Sequence, residues 1–222
     1  MESEKKSRTV AIIVAHPDDE TLWAGGTILS HPSWKCYVIC LCRKYDEDRA
    51  PKFYKVLNVL KSDGIMGDLD DGTEQTPLDE KVVEAAIIEL LPSLNFDLII
   101  THSQNGEYTK HLRHEEISKA SLTLWQNGKL KACEFWTFAY EDGNKKYYPR
   151  AIEKAPGYRV LTKEIWSKKY SIMTDIYGFT KDSWEAETVP RAESFWQFTD
   201  PLEANNWLTQ YQNEKRLKPG IL

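Results

Sequence analysis

Two short runs of ionisable side chains hold most of the chemistry this sequence could do. The first is Ala15-His16-Pro17-Asp18-Asp19-Glu20, and the second is His111-Leu112-Arg113-His114. His16 and Asp19 are three apart, so a tight turn entering a helix can direct both toward one point. His111 and His114 have the same spacing and share one face of a helical turn. Two imidazoles and a carboxylate around one cation make a facial set that suits Zn²⁺ or another divalent metal, with positions left open for water and substrate. Asp18 is then left over. A carboxylate beside a metal, but not on it, is placed to take a proton from water. Each run also has a plainer reading, because lone histidines are usually surface or core residues and paired aspartates often only cap a helix.

The surrounding pattern decides whether the two runs can meet. Residues 10–15 form a continuous apolar run rich in β-branched side chains, as expected of a strand buried on both faces. Helical character follows over 21–29, weakened by Gly25 and Gly26, and residues 36–41 form a second apolar strand. A helix over 51–61 places Phe53, Val56, Leu57 and Leu60 on one stripe, and Asp70-Asp71-Gly72 reads as a turn. The next helix is expected to start with Thr76 as N-cap and Pro77 as its first residue, followed by a third strand over 98–101, a helix over 113–125 and a strand over 133–140. A last helix is expected from Asp200, carrying Trp207 and Leu208. Alternating strands and helices imply βαβ units and a mostly parallel sheet, the α/β class. In such sheets ligands bind beyond the carboxyl ends of the strands, which is where both ionisable runs fall.

Composition narrows the partners. With 29 basic and 34 acidic side chains the net charge is -5, which argues against nucleic acid, since phosphate binding wants a basic face. Residues 1–8 are polar and unlike a secretory signal, and no apolar run reaches the length of a membrane span. Cys36, Cys40 and Cys42 share one apolar run at one strand parity, and Cys133 stands apart, which reads as buried thiols in a reducing cytoplasm. A homo-oligomer is left open.

The run Val14-Ala15-His16-Pro17-Asp18-Asp19-Glu20, with Gly25-Gly26-Thr27, resembles the opening motif of the LmbE-like, or PIG-L, deacetylase family. The similarity continues at Arg49, at Leu69-Asp70-Asp71-Gly72, at Asn105-Gly106-Glu107-Tyr108 and at His111-x-x-His114, and covers residues 10–140. It implies a Rossmann-like three-layer sandwich with a metal-binding core over 10–140 and a less regular extension over 141–222 packed on it, together one domain. It implies His16, Asp19 and His114 as zinc ligands, Asp18 as general base, and His111 as a second polar catalyst that stabilises the oxyanion or helps the amine leave. Arg49 would reach the substrate, an N-acetylated amino sugar or its conjugate.

The sequence departs from the family pattern in three places. Leu112 and Arg113 fill the middle of a motif that often reads His-Pro-Asp-His, Lys52 replaces a glutamate of the middle helix, and Arg43-Lys44 follow the second strand where many relatives have a small loop. Arg43 and Lys44 are read as contacts to an anionic substituent, and Tyr108 and His102 as lining the pocket. Trp166, Trp184 and Trp196 are candidates to stack on a sugar ring, although core packing is the commoner use. The competing functions are hydrolysis of another amide or ester on the same metal site, and a nucleotide-binding module, which the absence of a G-x-G-x-x-G order disfavours.

Overall fold

The computed structural model describes residues 7–108 and 111–217, without the side chains of 211–217. The leading stretch through residue 6 therefore lies outside the described residues. The fold is built on β1 (Thr9–Val14), whose side chains from Val10 onward are shut away from solvent. Successive residues of a strand point to opposite faces. Accordingly Val10, Ile12 and Val14 enter one hydrophobic cluster, and Ala11, Ile13 and Ala15 enter the other. A strand with two apolar faces has to lie in the middle of a sheet covered on both sides.

Around it the chain runs α1 (Asp19–Ser30), β2 (Lys35–Cys42), α2 (Arg49–Leu60), β3 (Asp63–Leu69), α3 (Glu80–Leu90), β4 (Asn95–Thr101), α4 (Leu112–Gln126) and β5 (Lys131–Phe138). Then come two short ribbon strands, β6 (Tyr140–Glu141) and β7 (Arg150–Ala151), and β8 (Arg159–Val160). The remainder is α5 (Lys163–Ser171), a π-helical turn (Ile172–Ile176), α6 (Trp184–Thr188), β9 (Ala192–Glu193), β10 (Phe195–Phe198) and α7 (Pro201–Leu217). The main sheet has the order β10-β5-β4-β1-β2-β3, parallel except for β10, which pairs antiparallel with β5. The order reverses between β1 and β4, and at that switch point the loops after the two strands diverge and leave a crevice.

Two points read from the sequence need correction. The strand β3 is hidden in the sequence because Gly64 and Gly67 interrupt its apolar run. Gly64 is required there, since a Cβ would lie 2.3 Å from the Val38 carbonyl oxygen. The helix α3 starts at Glu80 with Asp79 as its cap, accepting from the Lys81 amide, and not at Thr76-Pro77. Residues 76–78 are instead tethered to α4: the Thr76 carbonyl accepts from Arg113 and the Leu78 amide donates to Glu116. Cys36 and Cys40 enter the same hydrophobic cluster, and past Cys40 the register between β2 and β3 shifts by an extra residue on β3.

The residues after 140 enter both faces of the core. Ile172, Met173, Tyr177, Val189 and Phe195 join one cluster, and Trp196, Phe198, Ala204 and Leu208 join the other. A deeper tie is polar. The buried Glu193 carboxylate reaches α1 in its third turn and accepts from the Gly26 amide (2.7 Å), the Thr27 amide (2.6 Å) and the Thr27 hydroxyl (2.7 Å). Its charge is met by Lys169 Nζ at 2.7 Å, also fully buried. Gly26 lets this approach happen, because a Cβ would sit 2.5 Å from Leu161 Cδ1.

A buried ion pair is costly to break from one side, because the remaining charge is left without compensation. Lys169→Met is therefore expected to lower unfolding stability by about 3–5 kcal/mol in urea titration. A loss below about 1 kcal/mol would mean that Glu193 is held well enough by the α1 donors alone.

Candidate metal centre and active site

The loop after β1 and the N-terminal end of α4 meet at the switch point. Asp19 opens α1 and turns Oδ2 back to accept the His16 amide at 2.8 Å, while Trp23 Nε1 donates to its Oδ1 at 2.9 Å. His114 lies one turn into α4 and is fully buried. The facing atoms are His16 Nδ1, Asp19 Oδ2 and His114 Nε2. They are separated by 3.3 Å (His16–Asp19), 3.4 Å (Asp19–His114) and 3.3 Å (His16–His114). Tetrahedral ligation with bonds of roughly 2.1 Å requires ligand atoms about 3.4 Å apart. The triangle thus fits a divalent cation, and its donors are those that zinc accepts.

A carboxylate lies behind each imidazole of the triangle, the placement that in metal sites fixes ring direction and tautomer. Glu107 Oε2 lies 2.6 Å from His114 Nδ1, and Asp71 Oδ1 lies 3.2 Å from His16 Nε2. Asp71 is held by Arg43, whose Nε and guanidinium nitrogen donate to its Oδ2 at 2.9 and 2.7 Å, and by Gln75. Glu107 also takes His102 Nδ1 at 3.0 Å and the Ser103 amide at 2.9 Å. His102 Nε2 in turn accepts the Ala15 amide at 2.9 Å, so that nitrogen is not available to a metal.

Asp18 sits outside the triangle with a backbone φ of 121°, a conformation non-glycine residues rarely adopt. Four hydrogen bonds hold it there. Glu20 Oε2 accepts the Asp18 amide at 3.1 Å, Arg49 donates to Asp18 Oδ2 at 2.6 Å, and the amides of Thr21 and Leu22 donate to its carbonyl. Glu20 is itself fixed by the Tyr177 hydroxyl at 2.8 Å and the Thr21 hydroxyl at 2.6 Å, so it serves Asp18 as well as the helix end.

The protein groups set distinct charge states. Burial, reinforced by the adjacent Asp19, pushes the Asp18 carboxyl up to about 8 against the pull of Arg49. Burial opposes ionisation of Glu107 as well, but His102 and His114 override it and the group falls to about 2. Burial alone would lower His114, yet Asp19 and Glu107 raise it to about 10. His111, which stacks on His114 at 4.0 Å, is driven down to about 3 by burial and then by His114 and His16. It is a neutral imidazole, and its buried Nδ1 has no hydrogen-bond partner among the described residues.

A cleft opens over this group. His16, Asp18, Asp19, His111, Arg43, Arg49 and Tyr108 line it. Two residues expected to touch substrate lie elsewhere. His102 is fully buried beneath the site, and Lys44 is exposed with its ammonium 5.5 Å from the Tyr45 ring centroid. Lys52 is paired with Asp48 at 2.7 Å. Arg113, which replaces the family's motif aspartate, is buried, ties α4 to Asp70 and Thr76, and pairs with Glu116 on its own helix. Of the three tryptophans offered for stacking, Trp184 lines the cleft. Trp166 packs on Tyr170 and lies under Arg191, and Trp196 packs against Trp207. Glu107 was visible in the sequence only as part of a motif. Tyr177, Glu185 and Glu193 carried no sequence signal.

Residues 11–125 match the sequence model of the PIG-L family, GlcNAc-PI de-N-acetylase. An uncharacterized protein of Acanthamoeba polyphaga mimivirus is 24% identical over 159 residues, 64% of this chain and 67% of that protein. The N,N'-diacetylchitobiose deacetylase of Pyrococcus horikoshii superposes with a TM-score of 0.64 at 17% identity, over 88% of this chain and 85% of its own. A 4-carboxy-2-hydroxymuconate hydratase of Pseudomonas putida superposes with a TM-score of 0.60 at 14% identity, over 87% and 97%. One architecture thus hosts a deacetylase and a hydratase, and the reaction has to be argued from the site.

If Glu107 orients His114, Glu107→Gln should weaken zinc binding about 10–100-fold in competition with a chromophoric chelator. An unchanged affinity would reduce Glu107 to a packing role.

Proposed function

Since the chain belongs to the PIG-L family, we propose that it is a metal-dependent deacetylase that hydrolyses the N-acetyl group of an amino sugar or its conjugate. The observation that carries this reading is the triangle of His16, Asp19 and His114 with Asp18 strained and raised beside it at the end of an open cleft. His16, Asp19 and His114 would hold the cation. A divalent ion in that place supplies Lewis acidity toward the amide carbonyl and acidifies water.

The side chains supply the proton traffic. Arg49 engages Asp18 Oδ2, while Oδ1 makes no hydrogen bond to a described residue. A carboxylate with raised proton affinity is a better base than one at its ordinary value, so Asp18 takes the proton of the attacking water. Neutral His111, which lines the cleft, donates to the oxyanion as the tetrahedral centre forms. Asp18 returns the proton to the departing nitrogen, and acetate and a free amine result.

No helix among the described residues is long and apolar enough to cross a membrane. The unpaired thiols of Cys36, Cys40 and Cys42 are buried, which supports a reducing, cytoplasmic setting.

Acetate release should be measured across a panel of N-acetylated sugars with zinc present. Asp18→Asn is expected to keep the metal and lose activity at least about 100-fold, the scale of removing a general base. His114→Ala is expected to lose the metal. Metal loss in Asp18→Asn would exchange the roles of the two aspartates, and cleavage of esters with no acetate from any N-acetyl sugar would sink the deacetylase reading.

A further inference from the structure

We propose that the cleft holds a second subsite, formed by Tyr108, Trp184 and Glu185, which takes the unit next to the acetylated sugar as a ring carrying a positive charge, an aminated sugar. The proposal rests on the deacetylase reading for what occupies the inner end, and on independent geometry for the outer one.

The first part of that geometry is shape. Trp184 comes from α6, far in sequence from the metal-binding residues, yet its ring meets Tyr108 edge to face with centroids 4.9 Å apart. Tyr108 makes the same kind of contact with His111 at 5.5 Å, so one aromatic wall runs continuously from the catalytic imidazole to the cleft mouth. Trp184 is 39% exposed although it is bound into this wall. An exposed indole at the mouth of a polar cleft offers a flat apolar face, which matches the C–H face of a pyranose ring.

Charge then selects among rings. The charged groups of the cleft pair off: Arg49 with Asp18, Arg43 with Asp71, and Asp19 with the imidazoles of the triangle. Glu185 lines the cleft beside Trp184 and forms no ion pair with a described residue. Among the described residues of the cleft, Glu185 is thus the carboxylate without an ion-pair partner, while each arginine already holds a carboxylate. This reverses the anionic substituent expected from Arg43 and Lys44 in the sequence. An ammonium on the neighbouring ring would donate a charge-assisted hydrogen bond to Glu185, whereas an anion there would be repelled.

Binding can be read without turnover. The β-1,4-linked disaccharide of glucosamine, glucosamine itself and glucosamine 1-phosphate carry no acetyl group, and their dissociation constants follow from titration calorimetry on the zinc-loaded protein. The disaccharide is expected to bind about tenfold more tightly than glucosamine, and the 1-phosphate more weakly than either. Glu185→Gln should remove most of the disaccharide's advantage and affect glucosamine far less, and Trp184→Ala should do the same. Tighter binding of the 1-phosphate than of glucosamine, an advantage that survives Glu185→Gln, or no measurable binding of the disaccharide would each overturn the subsite. Failure to release acetate from N-acetyl sugars would instead count against the deacetylase reading and leave these affinities interpretable.

Discussion

The carboxylate of Glu107 is the interaction on which the site depends. It is fully buried, and a buried carboxylate persists only where donors surround it. Its donors are His114, which it aims into the triangle, His102 and the Ser103 amide. Because His102 gives its Nδ1 proton to Glu107, its other nitrogen is free to accept the Ala15 amide just before His16. One side chain on the loop after β4 thereby fixes both the α4 ligand and the backbone after β1. The two halves of the candidate centre, 98 residues apart in sequence, share one electrostatic anchor.

That anchor works because the sheet delivers the loops to the same place. The β1 strand reads as buried on both faces from its sequence alone, and the flanking helices follow from periodicity. The pair of ionisable runs at strand ends was equally legible: His16, Asp18, Asp19, His111 and His114 are brought together. What was not legible were the tertiary partners that decide what a charged residue is for. Arg43 and Arg49 looked free in the sequence, and each holds a carboxylate in the structure. His102 ends a strand at the correct height and still lies beneath the site. The β3 strand was missed because its glycines serve a neighbouring backbone, which no local pattern records.

The region after residue 140 shows the same limit from the other side. It carries no recognisable motif, yet Tyr177 fixes Glu20 behind Asp18, Trp184 and Glu185 finish the cleft, and Glu193 bonds into α1. Its aromatic richness predicted packing and gave no order of importance. The residues that matter there are defined by what they reach, and their sequence neighbours say nothing about it.

The Glu193 contact also bears on how the chain comes to be folded. It joins residues 167 positions apart, and the amides it satisfies belong to the helix that opens with Asp19. During synthesis, that N-terminal helix emerges long before its acceptor does. Long-range contacts of this kind slow folding, and N-terminal segments usually settle first. Here α1 is the helix that must wait for a later segment. Its third turn gains these acceptors only once the chain has reached Glu193, so a chain released before that point would carry Asp19 on an unfinished helix.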